Sequence, residues 1–532
     1  MYDLILRNAA ILDGTGHSAF HSSVVIEGDR ILAVDNERDA KREIDLDGLV
    51  VAPGFIDLHT HSDFSLPGYP RADSMIRQGV TTQVTGNCGF SPFPIHPSRS
   101  ELAQGWAAFF GGDPDWQWET AASFMSFLES LPLSTNVALQ VGHGALRISA
   151  MGIEDRSPTE AELSLMKSLL ISTLDDGVFG MTSGLMYPPS SYSDTLELIE
   201  LASLLPTHNG FYASHIRGEG ENLLAAVAEA LQIANQAGVP IQLSHHKASG
   251  SAHWGRVADS LALIDSARDD GCDVTLDQYP YTASSTTITS GLPRWAMNGG
   301  VETLLNSLSD PHFRARIIDE MSPLNGVSKL DWNGVDADSI MIACVPDGPN
   351  KARYEHMLLS QIAEQRHEGP AETLLQLIEE NHAQIQVVVF AMSEDDIQFV
   401  MRHPYVAVAS DGWILSPESG GTPHPRSYGT FVRVLGRYVR ELGVLSLEEA
   451  VRKMTSLPAR RLGFSDRGLI AGGHIADLVI FDPETIGDRA TFERPHEYCQ
   501  GVEYVIVAGQ VVVERGEDTG AKAGRVLRRN RI

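Results

Sequence analysis

The chain has 532 residues, 43% hydrophobic and 20% charged, which is enough for one large domain and a smaller one. A net charge of -29 repels phosphate backbones and excludes nucleic acid as a natural partner. Four widely spaced cysteines without a CxxC pair, no basic-then-apolar leader and no apolar window near about 18 residues argue against a disulfide scaffold, a signal peptide and a membrane span; a reducing cytoplasmic compartment is expected.

Residues 1–50 read as short strands. Leu4-Ile5-Leu6, Ala10-Ile11-Leu12, Val24-Val25-Ile26 and Arg30-Ile31-Leu32-Ala33-Val34 are apolar or alternating runs punctuated by Gly14, Gly16 and Gly28. The far end has the same texture, in Asp477 to Asp482, Val502 to Val507 and Val511-Val512-Val513. Two β-rich ends around a different centre predict one small β-sandwich domain made of 1–50 and 464–532.

Between them, strand and helix alternate. Apolar runs recur near 53–59, 80–86, 137–141, 178–183, 210–214, 240–244, 273–277, 386–391 and 405–409, with helical stretches such as Thr159 to Leu174 and Glu221 to Gln236. Alternation of this kind over 51–463 predicts parallel strands with helical crossovers, hence an α/β chain built on a (β/α)8 barrel. Nine runs compete for eight places, and 386–391 is read as the extra one. Residues 295–355 break the rhythm with helices at Val301 to Leu308 and Pro311 to Met321, and predict a helical insertion near the barrel mouth, a candidate lid.

The chemical residues share one address, the C-terminal ends of strands. Ile56-Asp57-Leu58-His59-Thr60-His61 puts two imidazoles on one side of the first strand, because alternate residues face the same way. Cys88 follows the second strand, His215 and His245 end two later ones, and Asp411 ends the last. Imidazole, thiolate and carboxylate are the ligands zinc prefers, and a barrel gathers its strand ends around one mouth. A lone His-x-His or a lone buried cysteine is ordinary core chemistry. Five strand ends carrying ligand groups together are not.

These residues, with Ala52-Pro53-Gly54-Phe55-Ile56-Asp57 and Ala476-Asp477-Leu478-Val479-Ile480-Phe481, resemble the amidohydrolase superfamily. Gly86-Asn87-Cys88-Gly89-Phe90-Ser91, Ser183 to Pro189, Ser214-His215-Ile216-Arg217, Ser244-His245-His246-Lys247, Asp277 to Ser285 and His424 to Gly429 narrow the resemblance to its N-acyl-D-amino-acid deacylases. The fourth strand, Val178-Phe179-Gly180-Met181-Thr182-Ser183, has no lysine to bridge two metals, as hydantoinases and dihydroorotases have.

The resemblance implies zinc-dependent hydrolysis of N-acyl-D-amino acids, small-molecule substrates. Cys88, His215 and His245 would hold a tight Zn2+; His59, His61 and Asp411 would border a second, weaker site. Asp411 would be the catalytic base and then the acid. Lys247, Tyr187, Tyr279, Ser285 and Arg426 would bind substrate. His143, at the third strand end, has two equal readings, an aid at the carbonyl oxygen and a structural turn residue. Trp254, Trp295, Met297 and Trp413 are candidates for the wall of an apolar side-chain pocket. His246 points away from its neighbour by the strand's alternation. The competing readings are a cyclic-amide hydrolase of the hydantoinase or dihydroorotase kind, a deaminase of the same superfamily, and a metal-binding barrel without catalysis. Oligomeric state is not legible in the sequence.

Overall fold

The computed structural model describes residues 1–34, 39–111, 116–321 and 335–529. Eight parallel strands build a (β/α)8 barrel: β1 (Phe55–Asp57), β2 (Val80–Thr85), β3 (Asn136–Leu139, continuing as Val141–Gly142), β4 (Gly180–Gly184), β5 (Phe211–His215), β6 (Ile241–Leu243), β7 (Val274–Gln278) and β8 (Val406–Val408). Neighbours pair in chain order, as in Val84↔Ala138, Ala213↔Gln242 and Asp277↔Ala407. A parallel bridge, Thr60↔Gly412, joins the segments that follow β1 and β8.

The strands are buried on both faces, which is why they read as continuous apolar runs rather than alternating ones. Helices Glu160–Asp175 and Leu223–Ala237 cover the outside. The first is started by a reciprocal cap, Thr159 to Glu162, of the kind that closes off free backbone N–H groups.

The two ends of the chain meet in one nine-stranded sheet. Val50–Pro53 pairs antiparallel with Leu478–Phe481 and is the seam between the termini. Alternation along the seam decides its two faces. Leu478 and Ile480 pack with Leu4, Leu6 and Ile11, whereas Val479 and Phe481 join the core of the barrel.

Two boundaries differ from the sequence reading. The N-terminal sheet runs on to Pro53, past residue 50, because the seam needs those residues. At the other end, Val526–Leu527 leaves the small domain and pairs in parallel with Val137 and Ala138 of β3. It lies there because β4 begins only at Gly180, and the Arg529 N–H donates to the Gly177 carbonyl just before it.

The insertion is also wider than 295–355, of which 322–334 lie outside the described residues. A three-stranded antiparallel sheet, Ala283–Thr287, Gln386–Phe390 and Ile340–Cys344, frames it. Leu304, Ile317, Leu359, Leu374, Ile378 and Val387 give it a core of its own. The run at 386–391 is therefore the ninth strand, paired outside the barrel. Among the described residues, no helix is long and apolar enough to cross a membrane.

Candidate metal centre

Six side chains converge at the C-terminal mouth of the barrel. Cys88, His215 and His245 form one group of donor atoms within 4.8 Å of one another, and His59, His61, Cys88 and Asp411 form a second. Cys88 belongs to both. Its Sγ lies 3.2 Å from His59 Nε2 and 3.4 Å from His245 Nε2. Asp411 Oδ1 lies 3.2 Å from both His59 Nε2 and His61 Nε2.

The backbone is strained to make this possible. Cys88 (φ 52°), His245 (φ 34°) and Asp411 (φ 52°) all sit in left-handed conformations that cost a non-glycine residue on the order of 1–3 kcal/mol. Each lies just past its strand, where the chain turns sharply and throws the side chain inward.

The electrostatics call for positive charge at the centre. Burial raises the Cys88 thiol, but the His59 and His245 imidazoles outweigh it and leave the thiol well below its ordinary value. Burial likewise raises Asp411, and Arg426, His245 and His59 outweigh it, so it is held well below the usual carboxylate range. Burial and Lys247 lower His245, yet Asp411 and Cys88 push it up to about 9. Two acidic ligands that hold on to imidazole protons mark a site suited to a cation.

Carboxylates outside the ring orient it. His59 Nδ1 faces Asp277 Oδ1 at 3.2 Å, and Asp277 also accepts from the His245 N–H. His245 Nδ1 faces Glu219 Oε1 at 3.2 Å. Buried carboxylates behind imidazoles fix tautomer and ring direction at metal sites. His61 Nδ1 and His215 Nδ1 are buried with no hydrogen-bond partner among the described residues.

A cavity of ≈ 70 Å³ opens over the cluster. Tyr187, Lys247, Tyr279, Ser285 and Arg426 all line it. Arg426 is clamped, with Nη1 donating to Asp411 Oδ2 at 2.6 Å and Nη2 to the Ser285 carbonyl. Arg426 Nε and Ser285 Oγ are nonetheless buried without hydrogen-bond partners among the described residues. Phe110, Val389 and Trp413 supply apolar wall.

Not every expected residue arrives. His143 lies outside the cavity lining: its Nδ1 pairs with Ser190 Oγ and its Nε2 with Glu197 Oε1, a placement that favours the second of its two readings, a structural turn residue. It starts the helix His143–Met151, which turns its ring away from the mouth. Trp254 is half exposed with its indole N–H on the Ala391 carbonyl, and Trp295 meets Phe313 edge-to-face in the insertion. Met297 lines a neighbouring cavity, and only Trp413 of the four meets the site. His246 does point away, to Ser260.

Glu219, Asp277 and Met186 escaped the sequence reading. Asp277 had the same signal as the candidate ligands, a carboxylate at a strand end, and Glu219 lies in the loop just after His215. Met186, whose Sδ lies 3.1 Å from His215 Nε2, carried no signal.

Comparison with known proteins gives a consistent result. The sequence profile of the "Amidohydrolase family" matches residues 42–322 and 370–513. The chain is 35% identical to the D-aminoacylase of Alcaligenes xylosoxydans xylosoxydans over 99% of this chain and 98% of that one. It is 34% identical to the N-acyl-D-glutamate deacylase of the same organism, over 99% and 97%. Among solved structures, the N-acyl-D-glutamate deacylase of Bordetella bronchiseptica, complexed with zinc and a phosphonate mimic of the tetrahedral intermediate, superposes with a TM-score of 0.83 at 32% identity, covering 99% of each chain.

Proposed function

The chain belongs to the amidohydrolase family, and we propose that within it the protein is a zinc-dependent deacylase that releases D-amino acids from their N-acyl derivatives. The observation that carries this reading is Cys88, a buried thiol shared by two groups of imidazole and carboxylate donors under a cavity with two unpartnered polar groups. Thiolate, imidazole and carboxylate donors suit Zn2+. Cys88, His215 and His245 would hold the tight ion, and His59, His61 and Asp411, with Cys88 between, the second, weaker position.

Zinc supplies Lewis acidity, which polarises an amide carbonyl and favours ionisation of water. The protein's own residues do the rest. Asp411 accepts the proton of the attacking water on a carboxylate oxygen and passes it to the amide nitrogen as the C–N bond breaks. Amines leave poorly as anions, so the second transfer matters as much as the first. The water oxygen ends on the acyl carbon, giving a carboxylate and a free amino acid.

Arg426 Nε and Ser285 Oγ are the groups for the substrate's α-carboxylate, with Tyr279 beside the guanidinium at 5.1 Å from its ring centroid. Tyr187 and Lys247 close the remaining walls. The D-configuration is carried by the relatives' substrates. Four free cysteines fit a reducing cytoplasm.

The test is direct. Zinc-loaded protein is mixed with matched N-acetyl-D- and N-acetyl-L-amino acids, with Asp411→Asn alongside, and free amino acid is quantified. Release from the D series alone, lost in the variant, is expected. No release from any N-acyl amino acid with metal bound overturns the reading and turns attention to cyclic amides.

A further inference from the structure

Beside the catalytic cavity lies a larger one, of ≈ 500 Å³. The two share Phe90, Phe109, Tyr187 and Ser290 as walls, so they adjoin across these four side chains. Leu102, Trp106, Ile153, Met297, Val301 and Leu305 give the larger cavity an apolar lining. One side comes from the helix Ser100–Ala107 and the other from the insertion. No lysine or arginine is among its described lining residues, and its acidic groups, Glu101 and Glu302, are exposed.

We infer that this cavity takes the acyl chain of the substrate, and that the enzyme acts on D-amino acids carrying medium to long, unbranched fatty acyl groups rather than acetyl alone. The inference rests on the deacylase reading. A substrate of that class has one anionic group, the α-carboxylate, and Arg426 and Ser285 claim it in the first cavity. What enters the second is best uncharged, since its described lining holds no lysine or arginine, only the imidazole of His382, and two glutamates at its edge disfavour an anion. An amino-acid side chain already has Phe110, Val389 and Trp413 beside it in the first cavity, and none fills ≈ 500 Å³. An extended alkyl chain does, and gains from each methylene it takes out of water.

Gly105 offers the test. It lies in the helix Ser100–Ala107, lines the larger cavity, and a side chain built there meets nothing within 4 Å. Gly105→Phe therefore adds a ring at the cavity wall without a clash and narrows the space left for an alkyl chain, and replacing a mid-helix glycine does not weaken the helix. The assay measures kcat/KM for N-acetyl-, N-hexanoyl- and N-decanoyl-D-leucine. In the native protein kcat/KM is expected to climb by roughly threefold per methylene until the cavity is full. In Gly105→Phe the decanoyl-to-acetyl ratio should fall by at least about tenfold.

A native preference for acetyl overturns the inference. So does a variant that leaves the decanoyl-to-acetyl ratio intact but collapses the ratio of N-acetyl-D-leucine to N-acetyl-D-alanine, which would assign the cavity to the side chain. If no N-acyl-D-amino acid is turned over, the deacylase reading has failed, and calorimetry with dodecanoate decides the cavity separately. Binding lost in Gly105→Phe upholds an alkyl site, and no binding to the native protein removes it.

Discussion

Lys247 Nζ lies 2.6 Å from Glu219 Oε1, with both side chains nearly closed off from solvent. The lysine's charge is thereby matched within the protein, and its remaining contacts go to His245. A buried ion pair leaves little attraction for a third charge.

A substrate with an acidic side chain consequently finds no spare cation there. We expect kcat/KM for N-acetyl-D-leucine to exceed that for N-acetyl-D-glutamate and N-acetyl-D-aspartate by at least about tenfold, equivalent to roughly 1.4 kcal/mol. Glu219→Gln frees the ammonium group and should narrow the gap. A native preference for the acidic substrates would contradict this account of Lys247.

Arg426 is clamped on Asp411, the proposed base. Asp411→Asn, which cannot accept the water's proton, should lower kcat by roughly 10²–10⁴-fold. Arg426→Gln removes the strongest of the influences that hold Asp411 low. The carboxyl then rises, its ionised fraction is lost at higher pH, and the acid limb of kcat/KM moves upward. An unmoved limb in Arg426→Gln would show that another group sets it.

Because Cys88 stands in both donor groups, its loss should empty both positions. Cys88→Ala is expected to lose all bound zinc by elemental analysis, whereas His61→Ala retains the tight ion. Chelation should lower the Tm of the native protein by a few degrees, since an ion at a hundred times its Kd contributes about 2.7 kcal/mol. Added zinc should restore it. A chelated protein with unchanged Tm would argue against a built site.

His143 and Arg147 share one carboxylate, Glu197, and all three are buried. Burial raises Glu197, and His143 and Arg147 outweigh it and keep it low. Glu197→Ala strands the guanidinium and should cost about 3–5 kcal/mol, read as a lower Tm. His143→Phe should also lower Tm while leaving KM where it was. A raised KM with native Tm would return His143 to the substrate.

His246 makes stability depend on pH. Burial and then Lys247 lower its pKa to about 4, from 6.5 when unfolded. A lowered folded pKa contributes stability that is present above pH 6.5 and lost as pH falls toward 4, by about 3 kcal/mol at most. Tm measured across that window should fall less steeply in His246→Phe than in the native protein. Parallel curves would remove His246 from the acid response.

The candidate ligands were legible in the sequence because strand ends are: a continuous apolar run names a buried strand, and the next polar residue names the mouth. That rule singled out His59, Cys88, His215, His245 and Asp411, which the fold brings together. It also picked out His143, which stays outside the cluster because a helix begins directly at that residue and its ring pairs with Glu197. The clamp of Arg426 on Asp411 was illegible, since it joins residues whose ion pair only the fold defines. The extent of the insertion was hidden for a similar reason. Its frame strands, 283–287 and 386–390, are about a hundred residues apart; the second reads like a barrel strand, and the first, Ala283-Ser284-Ser285-Thr286-Thr287, has no apolar run to mark it.

Residues 526–529 bear on how the protein is made. Val526–Leu527 lies against β3, and Arg529 bonds just before β4, so a barrel whose other strands are all in place still lacks a piece until these residues have been synthesised. The seam at Leu478–Phe481 imposes the same wait on the N-terminal strands. A ribosome-bound chain that has not reached them therefore exposes an unfinished barrel wall.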